Sequence, residues 1–255
     1  MKFEMWSVWH ILYILSPFII FSALYLALQK CTEKTKNTVG YILGGISLLI
    51  LIVRNIDIFA RSGWGVEVIP LQVCHIGNIV TGLALILKKR WLVLTAFGFN
   101  MIPAILATVF ANSLANYDTL LKIRAQAYVW GHIFIIVCAL YALLIYLPEL
   151  EKKDLYKSMG LVGGLAFVAI ICNSLFRHLF DWTPNYFYLF DYKGTPLKFI
   201  YNALPTSRYG WFEINWFYTG VLLAVFSGVF VGMYHLARLI VNKMKSVQGT
   251  SVINE

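Results

Sequence analysis

Apolar residues form long blocks along this chain, and short polar stretches separate the blocks. Seven blocks reach about 20 residues, the length that an α-helix needs to cross the hydrocarbon core of a bilayer. The blocks cover residues 8–28, 38–60, 69–87, 91–110, 125–147, 155–179 and 214–240. The pattern therefore predicts an all-α, polytopic membrane protein with seven transmembrane helices.

The third block has the weakest pattern, because five residues interrupt its apolar run: Gln72, Cys74, His75, Asn78 and Thr81. Two structures fit such a segment: a tilted helix buried among its neighbours, or a broken helix that lines a water-filled cavity. In the fourth block, Asn100 and Pro103 predict a kink whose freed backbone group is satisfied by the asparagine side chain.

Composition supports the membrane assignment. Hydrophobic residues make up 60% of the chain and charged residues 13%, whereas globular domains carry about 25% charged residues. The net charge of +9 comes from short basic clusters between apolar blocks, which is typical of membrane helices and argues against nucleic acid as a partner. Four cysteines without a repeating spacing predict neither a disulfide framework nor a metal site, and we expect no cofactor.

Basic residues concentrate at one end of the predicted helices. One set of connections holds twelve of them: Lys30, Lys34, Lys36, Lys88, Lys89, Arg90, Lys152, Lys153, Lys157, Arg238, Lys243 and Lys245. The positive-inside rule places this side in the cytoplasm, with the N-terminus outside and the C-terminus inside. Six tryptophans then fall at the outer interface: Trp6, Trp9, Trp64, Trp182, Trp211 and Trp216. We predict a multi-pass protein of the cell membrane, in a bacterial plasma membrane.

The chain is predicted to form one membrane domain over residues 1–245, followed by a short disordered cytoplasmic tail over 246–255. Its longest loop, about 180–213, lies on the outer side. The loop is rich in Tyr, Phe, Pro and Asn, so we expect it to fold against the mouth of the bundle rather than to act as a flexible tether. The chain shows no internal repeat, which argues against an inverted-repeat transporter.

Most polar residues inside the blocks fall in their outer halves, where ionisable side chains usually line an interior or a wet site. They group by helical spacing into Arg54 with Asp57 and Arg61, Cys74 with His75 and Asn78, Arg124 with Tyr128 and His132, and Asn173 with Arg177 and His178. Arg54 and Asp57 are predicted to form an ion pair within their helix.

Depth suggests which of these groups meet. At a rise of about 1.5 Å per residue, Cys74 lies roughly 7 Å and His132 roughly 12 Å below the outer ends of their helices. A thiol needs a nearby base or cation to become a useful nucleophile, so this pair is the chemistry that we expect. Cys138 and Cys172 are interpreted as packing residues.

Four short stretches carry a resemblance to a known family. Pro70-Leu71-Gln72-Val73-Cys74-His75-Ile76 resembles the Pro-Leu-His-Leu-Cys-x-(Ile/Leu) signature of the YwaF-like bacterial membrane proteins, which resemble animal transmembrane protein 164, a seven-helix acyltransferase. Gly131-His132-Ile133 is similar to the family's histidine motif. Asn185-Tyr186-Phe187-Tyr188-Leu189 and the stretch from Gly194-Thr195-Pro196 through Leu204-Pro205 resemble its outer-loop motifs.

The resemblance implies roles for two residues. Cys74 would take an acyl chain as a thioester and pass it to a lysophospholipid, with His132 as the base. Gln72, His75 and Thr195 depart from the family's usual residues. The identity of the base therefore stays open: His75 or His178 could replace His132, or this branch could have lost catalysis.

The first functional hypothesis is accordingly a lipid acyltransferase or transacylase at the outer leaflet, with membrane lipids as both solvent and substrate. Arg177, or Arg54 with Asp57, would hold the phosphate headgroup. The remaining predicted substrate-binding residues are His75, Asn78, Asn173, His178, Asn185 and Tyr186. The alternatives are a small-solute transporter or ligand-binding membrane subunit without catalysis, and a non-catalytic partner in a larger complex. Protein partners cannot be deduced from this pattern.

Overall fold

The protein is described by a computed structural model that covers residues 3–193 and 197–253, so Gly194, Thr195 and Pro196 of the predicted loop motif lie outside the described residues. Helices dominate the described chain, and one antiparallel hairpin is its only sheet. The helices are α1 (Val8–Leu28), α2 (Glu33–Ser62), α3 (Val73–Leu87), α4 (Arg90–Thr95), α5 (Met101–Val109), α6 (Ile123–Leu144), α7 (Lys152–Phe180), α8 (Lys198–Tyr201) and α9 (Trp216–Ile253), and the strands are β1 (Ser207–Tyr209) and β2 (Phe212–Ile214). The prediction of an all-α membrane protein is confirmed.

Six described helical spans are long and apolar enough to cross a bilayer: α1, α2, the α4–α5 span, α6, α7 and α9 up to Ser246. Each coincides with a predicted block. The helix of the remaining block, α3, has 15 residues and covers about 22 Å, less than the roughly 30 Å of the hydrocarbon core. That α3 crosses the bilayer stays a prediction. The orientation of the chain in the membrane and the separate tail beyond residue 245 stay predictions as well.

A π-helical segment, Ala96–Asn100, joins α4 to α5. The N–H of Met101 bonds to the carbonyl of Ala96, five residues back, so the backbone closes its own wider turn. The predicted role of Asn100 was wrong: its buried side-chain amide has no hydrogen-bond partner among the described residues.

Local sequence determines where the first helices begin and end. Ser7 and Thr32 are the N-caps of α1 and α2, and their hydroxyls accept hydrogen bonds from backbone N–H groups of the first turn. α2 ends at Gly63, whose φ of 67° suits a residue without a side chain. The stretch from Gly63 to Gln72 then returns the chain to α3, so the predicted third helix begins four residues later than its apolar block.

The core of the bundle surrounds α6, which packs against α1, α2, α3 and α5. α2 and α3 approach each other most closely where Gly44 faces Gly82: a Cβ at Gly44 would lie 2.8 Å from the Gly82 carbonyl oxygen. Small residues permit such backbone contact between membrane helices. The resulting α2–α3–α6 group carries most of the polar residues singled out in the sequence.

The outer loop folds against this group. Its described part holds a 3₁₀ turn at Tyr186–Tyr188, α8 and the β1–β2 hairpin, in which Arg208 pairs with Glu213. The Tyr186 hydroxyl donates a hydrogen bond of 2.8 Å to the Val66 carbonyl in the connection between α2 and α3. The loop is thereby tied to the stretch that precedes the Cys74 helix.

Candidate active site

A polar cavity of about 90 Å³ opens between α2, α3 and α6. It is the place where three of the predicted polar groups converge. Its lining consists of Ile50, Leu51, Arg54, Cys74, His75, Asn78, Tyr117, Arg124, Ala127, Tyr128, Gly131 and His132. Five predicted site residues thus share one cavity: Cys74, His132, Arg54, His75 and Asn78.

Cys74 is the second residue of α3, two residues after the N-cap Gln72. Cys74 lies in the first turn of α3, and the Arg54 guanidinium lines the same cavity. The thiol is half-buried and free. It therefore shares the cavity with a cation and an imidazole, the kinds of neighbour that can activate a thiol.

His132 lies in the middle of α6 and is 5% exposed. Its Nδ1 is 2.7 Å from the Tyr128 carbonyl oxygen. A carbonyl only accepts hydrogen bonds, so Nδ1 carries the proton and Nε2 of the neutral ring keeps its lone pair. The Tyr128 ring packs against the imidazole, with 4.4 Å between their centroids. The imidazole is therefore held in the tautomer that can accept a proton at Nε2.

His75 and Asn78 differ in what they contribute. His75 is buried, interacts electrostatically with His132, and has an Nδ1 without a hydrogen-bond partner among the described residues. Asn78 bonds to the Cys74 carbonyl at 3.0 Å and accepts from the Ser47 hydroxyl at 3.1 Å. Asn78 therefore anchors the first turn of α3 to α2, while His75 remains a second candidate base.

Charged side chains meet at the outer end of the cavity. Arg54 donates 2.8 Å to the Glu67 carbonyl and also lies 3.8 Å from the Glu67 carboxylate. Asp57 instead pairs with Arg61 at 2.7 Å and with Arg124 at 3.7 Å. The predicted Arg54–Asp57 pair was wrong, because Arg61 lies one full turn after Asp57 and Glu67 is brought to Arg54 by the connection to α3.

Two predicted residues near the outer end of α7 lie outside the cavity wall, since Arg177 and His178 are exposed. Arg177 lies 3.9 Å from Glu213 and stacks over the Phe190 ring at 5.2 Å. Because His178 is exposed and does not line the cavity, His132 and His75 are the two candidate bases within it.

The remaining predicted residues organise the outer loop. Asn173 exchanges two hydrogen bonds with the Tyr186 backbone, at 3.1 and 2.8 Å. The Asn185 amide accepts from the Phe190 and Asp191 N–H groups and donates to the Asp191 carbonyl. Neither these two asparagines nor Tyr186 line the cavity. Their hydrogen bonds hold the loop in place above it.

Three aromatic or basic residues that line the cavity had not been predicted as site residues: Tyr117, Arg124 and Tyr128. Arg124 and Tyr128 share the helical face of His132, so the spacing of four was an available signal. Tyr188 interacts electrostatically with both Cys74 and Tyr128. Its backbone is left-handed, with a φ of 57°, and no sequence pattern indicates that turn.

No group of three or more His, Cys, Asp or Glu in the described ranges is arranged to hold a metal ion. The cavity thus presents a thiol, an imidazole with a free lone pair, and two guanidinium groups. This set can form a covalent thioester and bind a phosphate beside it.

A comparison with known protein families covers most of the chain. The family model described as the TMEM164 family matches residues 5–234, which include every residue of the cavity wall. Searches of curated proteins and of solved structures returned no match. The resemblance to transmembrane protein 164 is confirmed, whereas the bacterial YwaF-like branch stays a prediction. Because the match extends from the residues before α1 into α9, the chain belongs to the TMEM164 family.

Proposed function

We propose that this protein is a membrane-embedded lipid acyltransferase that uses Cys74 as nucleophile and His132 as general base. The observation that carries the proposal is the shared cavity, which the thiol and an imidazole with a fixed tautomer line together with Arg54 and Arg124. The family assignment supports the same chemistry.

In the first half-reaction, the Cys74 thiol gives its proton to Nε2 of His132 and the sulfur attacks the carbonyl carbon of an acyl ester. The bond between that carbon and the glycerol oxygen breaks, and His132 returns the proton to the leaving oxygen. The products are a lysophospholipid and a thioester on Cys74.

In the second half-reaction, the hydroxyl of an acceptor lysophospholipid gives its proton to His132 while its oxygen attacks the thioester carbonyl. The carbon–sulfur bond breaks, and the thiolate regains the proton from the imidazolium. Water in place of the acceptor would release a free fatty acid. The choice between transfer and hydrolysis therefore depends on which hydroxyl reaches the cavity.

The phosphate of the lipid would bind at the outer end of the cavity. Arg54 and Arg124 both line it, and Arg suits bidentate contacts with phosphate oxygens. Arg54 pairs with Glu67, and Arg124 pairs with both Asp57 and Glu67, so both guanidiniums are held in position before a lipid arrives. With the orientation that the basic clusters predict, this end faces the outer leaflet of the plasma membrane.

Replacement of Cys74 tests the proposal. Wild-type protein and the Cys74→Ala and Cys74→Ser variants are placed in proteoliposomes with radiolabelled phosphatidylcholine and lysophosphatidylethanolamine. We expect Cys74→Ala to lower transfer by at least about 10³-fold, because no thioester can form. Wild-type protein should carry label that hydroxylamine releases, and both variants should lack it.

Cys172→Ala is the matched control, since Cys172 is half-buried in α7 and lies outside the cavity wall. It should transfer acyl chains and form the labelled thioester like the wild type. Undiminished transfer by both Cys74 variants would overturn the mechanism.

A further inference from the structure

A second concavity lies between α2 and α6. This apolar groove has a volume of about 380 Å³, and it opens at the surface of the bundle. Its lining is Ile46, Leu49, Ile50, Val53, Ile123, Gln126, Ala127, Trp130 and Phe134. All but one of these side chains are apolar, and the Gln126 amide is engaged by the Leu120 carbonyl and the Trp130 indole.

The groove and the polar cavity share a wall. Ile50 of α2 and Ala127 of α6 line both of them. The cavity side of α6 continues with Gly131, where an added Cβ would lie 3.4 Å from the Asn78 amide nitrogen and 3.9 Å from the Ile50 side chain. On α6 this wall therefore consists of two small residues, Ala127 and Gly131. The apolar groove and the polar cavity that contains the Cys74 thiol are thus separated by few side-chain atoms.

The depth of the groove matches one leaflet. Phe134 lies eleven residues after Ile123, the first residue of α6, which corresponds to about 16 Å along the helix axis. Half of the hydrocarbon core is about 15 Å thick, so with the start of α6 at the outer interface, as the hydropathy pattern predicts, the deep end of the groove reaches the bilayer centre. An acyl chain of an outer-leaflet lipid ends at that depth.

From these observations we propose that the groove between α2 and α6 holds a fatty acyl chain of the donor phospholipid and leads its ester carbonyl over Ile50 and Ala127 to Cys74. The inference rests on the proposed function, because it places the substrate of the same site. One amphiphile accounts for both concavities: its chain fits the apolar groove, and its phosphate fits the end that carries Arg54 and Arg124. Because the groove lies between α2 and α6, the lipid's acyl chain can enter it sideways from the bilayer without leaving the hydrocarbon core.

Photocrosslinking tests the groove without requiring catalysis. Wild-type protein and Cys74→Ala are placed in vesicles that contain phosphatidylcholine with a diazirine in its sn-2 acyl chain, and the labelled residues are mapped by mass spectrometry. We expect label at Ile46, Trp130 and Phe134 to exceed that at Ile42 and Ile52 by about tenfold. The latter two residues are exposed on α2 but lie outside the groove.

Leu49→Trp should fill the groove, since Leu49 is 56% exposed and its replacement need not disturb the core. This variant should lose the enrichment and lower kcat/KM for acyl transfer by about tenfold. Ile52→Trp, a change of equal size at 53% exposure, should retain both. Equal thermal stability of the two variants excludes a folding defect as the cause.

The outcomes separate this inference from the proposed function. Label spread evenly over lipid-facing positions, or enrichment that Leu49→Trp leaves intact, would overturn the groove even if Cys74 forms its thioester. Enrichment in both wild-type protein and Cys74→Ala, without a thioester in the wild type, would support the groove and overturn the catalytic role of Cys74.

Discussion

At the scale of single residues, the Tyr128 carbonyl sets the chemistry of His132. Its contact with Nδ1 leaves Nε2 as the nitrogen that can take a proton from the thiol. His75 shares the cavity, and its ring bonds to the Ile69 backbone, while its Nδ1 has no partner among the described residues. The histidine motif Gly131-His132-Ile133 that resembles the family's makes His132 the proposed base, and His75 is the alternative.

Asparagine substitutions distinguish the candidate bases. His132→Asn keeps an N–H that can reach the Tyr128 carbonyl but removes the lone pair, so we expect the rate of thioester formation to fall by about 10²–10⁴-fold. His75→Asn should lower it less, and His178→Asn, at an exposed position outside the cavity, should leave it unchanged. Single-turnover acylation with labelled phosphatidylcholine measures all three. If His75→Asn caused the larger loss, the base would be His75.

Sequence reasoning placed the reacting groups better than the charges around them. Helical rise alone predicted that Cys74 and His132 reach similar depths, and both line the cavity. The partners of Arg54 and Asp57 were not predictable in the same way. Glu67 lies in an irregular connection whose path no helical spacing describes, and Arg124 comes from a helix distant in sequence.

At the scale of helices, the α2–α3 crossing positions the site. The Ser47–Asn78 hydrogen bond, one turn beyond Gly44, fixes the first turn of α3 and hence Cys74. The distance between the two backbones at Gly44 and Gly82 leaves no room for a side chain. Any residue that forces these helices apart should therefore weaken both the fold and the alignment of the thiol.

Two adjacent glycines test this crossing. Gly44→Ala would place a Cβ 2.8 Å from the Gly82 carbonyl oxygen, whereas a Cβ at Gly45 meets nothing within 4 Å. We expect Gly44→Ala to lower the free energy of unfolding by about 1–3 kcal/mol, because backbone atoms must move apart. Gly45→Ala should be neutral or stabilising by about 0.5–1 kcal/mol, since alanine favours the helix. Thermal unfolding in detergent measures both, and equal losses would show that the crossing is not the cause.

Hydropathy predicted the helices well where the chain is regular. The first block has the same bounds as α1. The block at 69–87 began too early, because an apolar run does not distinguish the irregular stretch around Pro70 from the first turn of α3. The π-helical segment before α5 was not predicted either. A wider turn within an apolar block leaves the number of residues in the block and its mean hydropathy as they were, so the hydropathy pattern does not reveal it.

At the scale of the whole molecule, the two ends of the bundle differ in chemistry. The predicted inner end carries the basic clusters, including Lys88, which lies over the Tyr41 and Tyr146 rings at 4.8 and 5.3 Å. The opposite end carries the outer loop and the polar cavity. The leaflet that supplies the substrate thus depends on the orientation that the charges predict.

Labelling of single cysteines in intact cells tests that orientation. In a background where all four cysteines are replaced by alanine, Tyr209→Cys at the hairpin and Lys157→Cys near the start of α7 introduce thiols at exposed positions of opposite ends. A membrane-impermeant maleimide should label the first at once and the second only after permeabilisation, because translocation of the basic connections across the membrane is disfavoured. The reverse pattern would place the cavity at the cytoplasmic leaflet, and the lipids of that leaflet would then be its substrates.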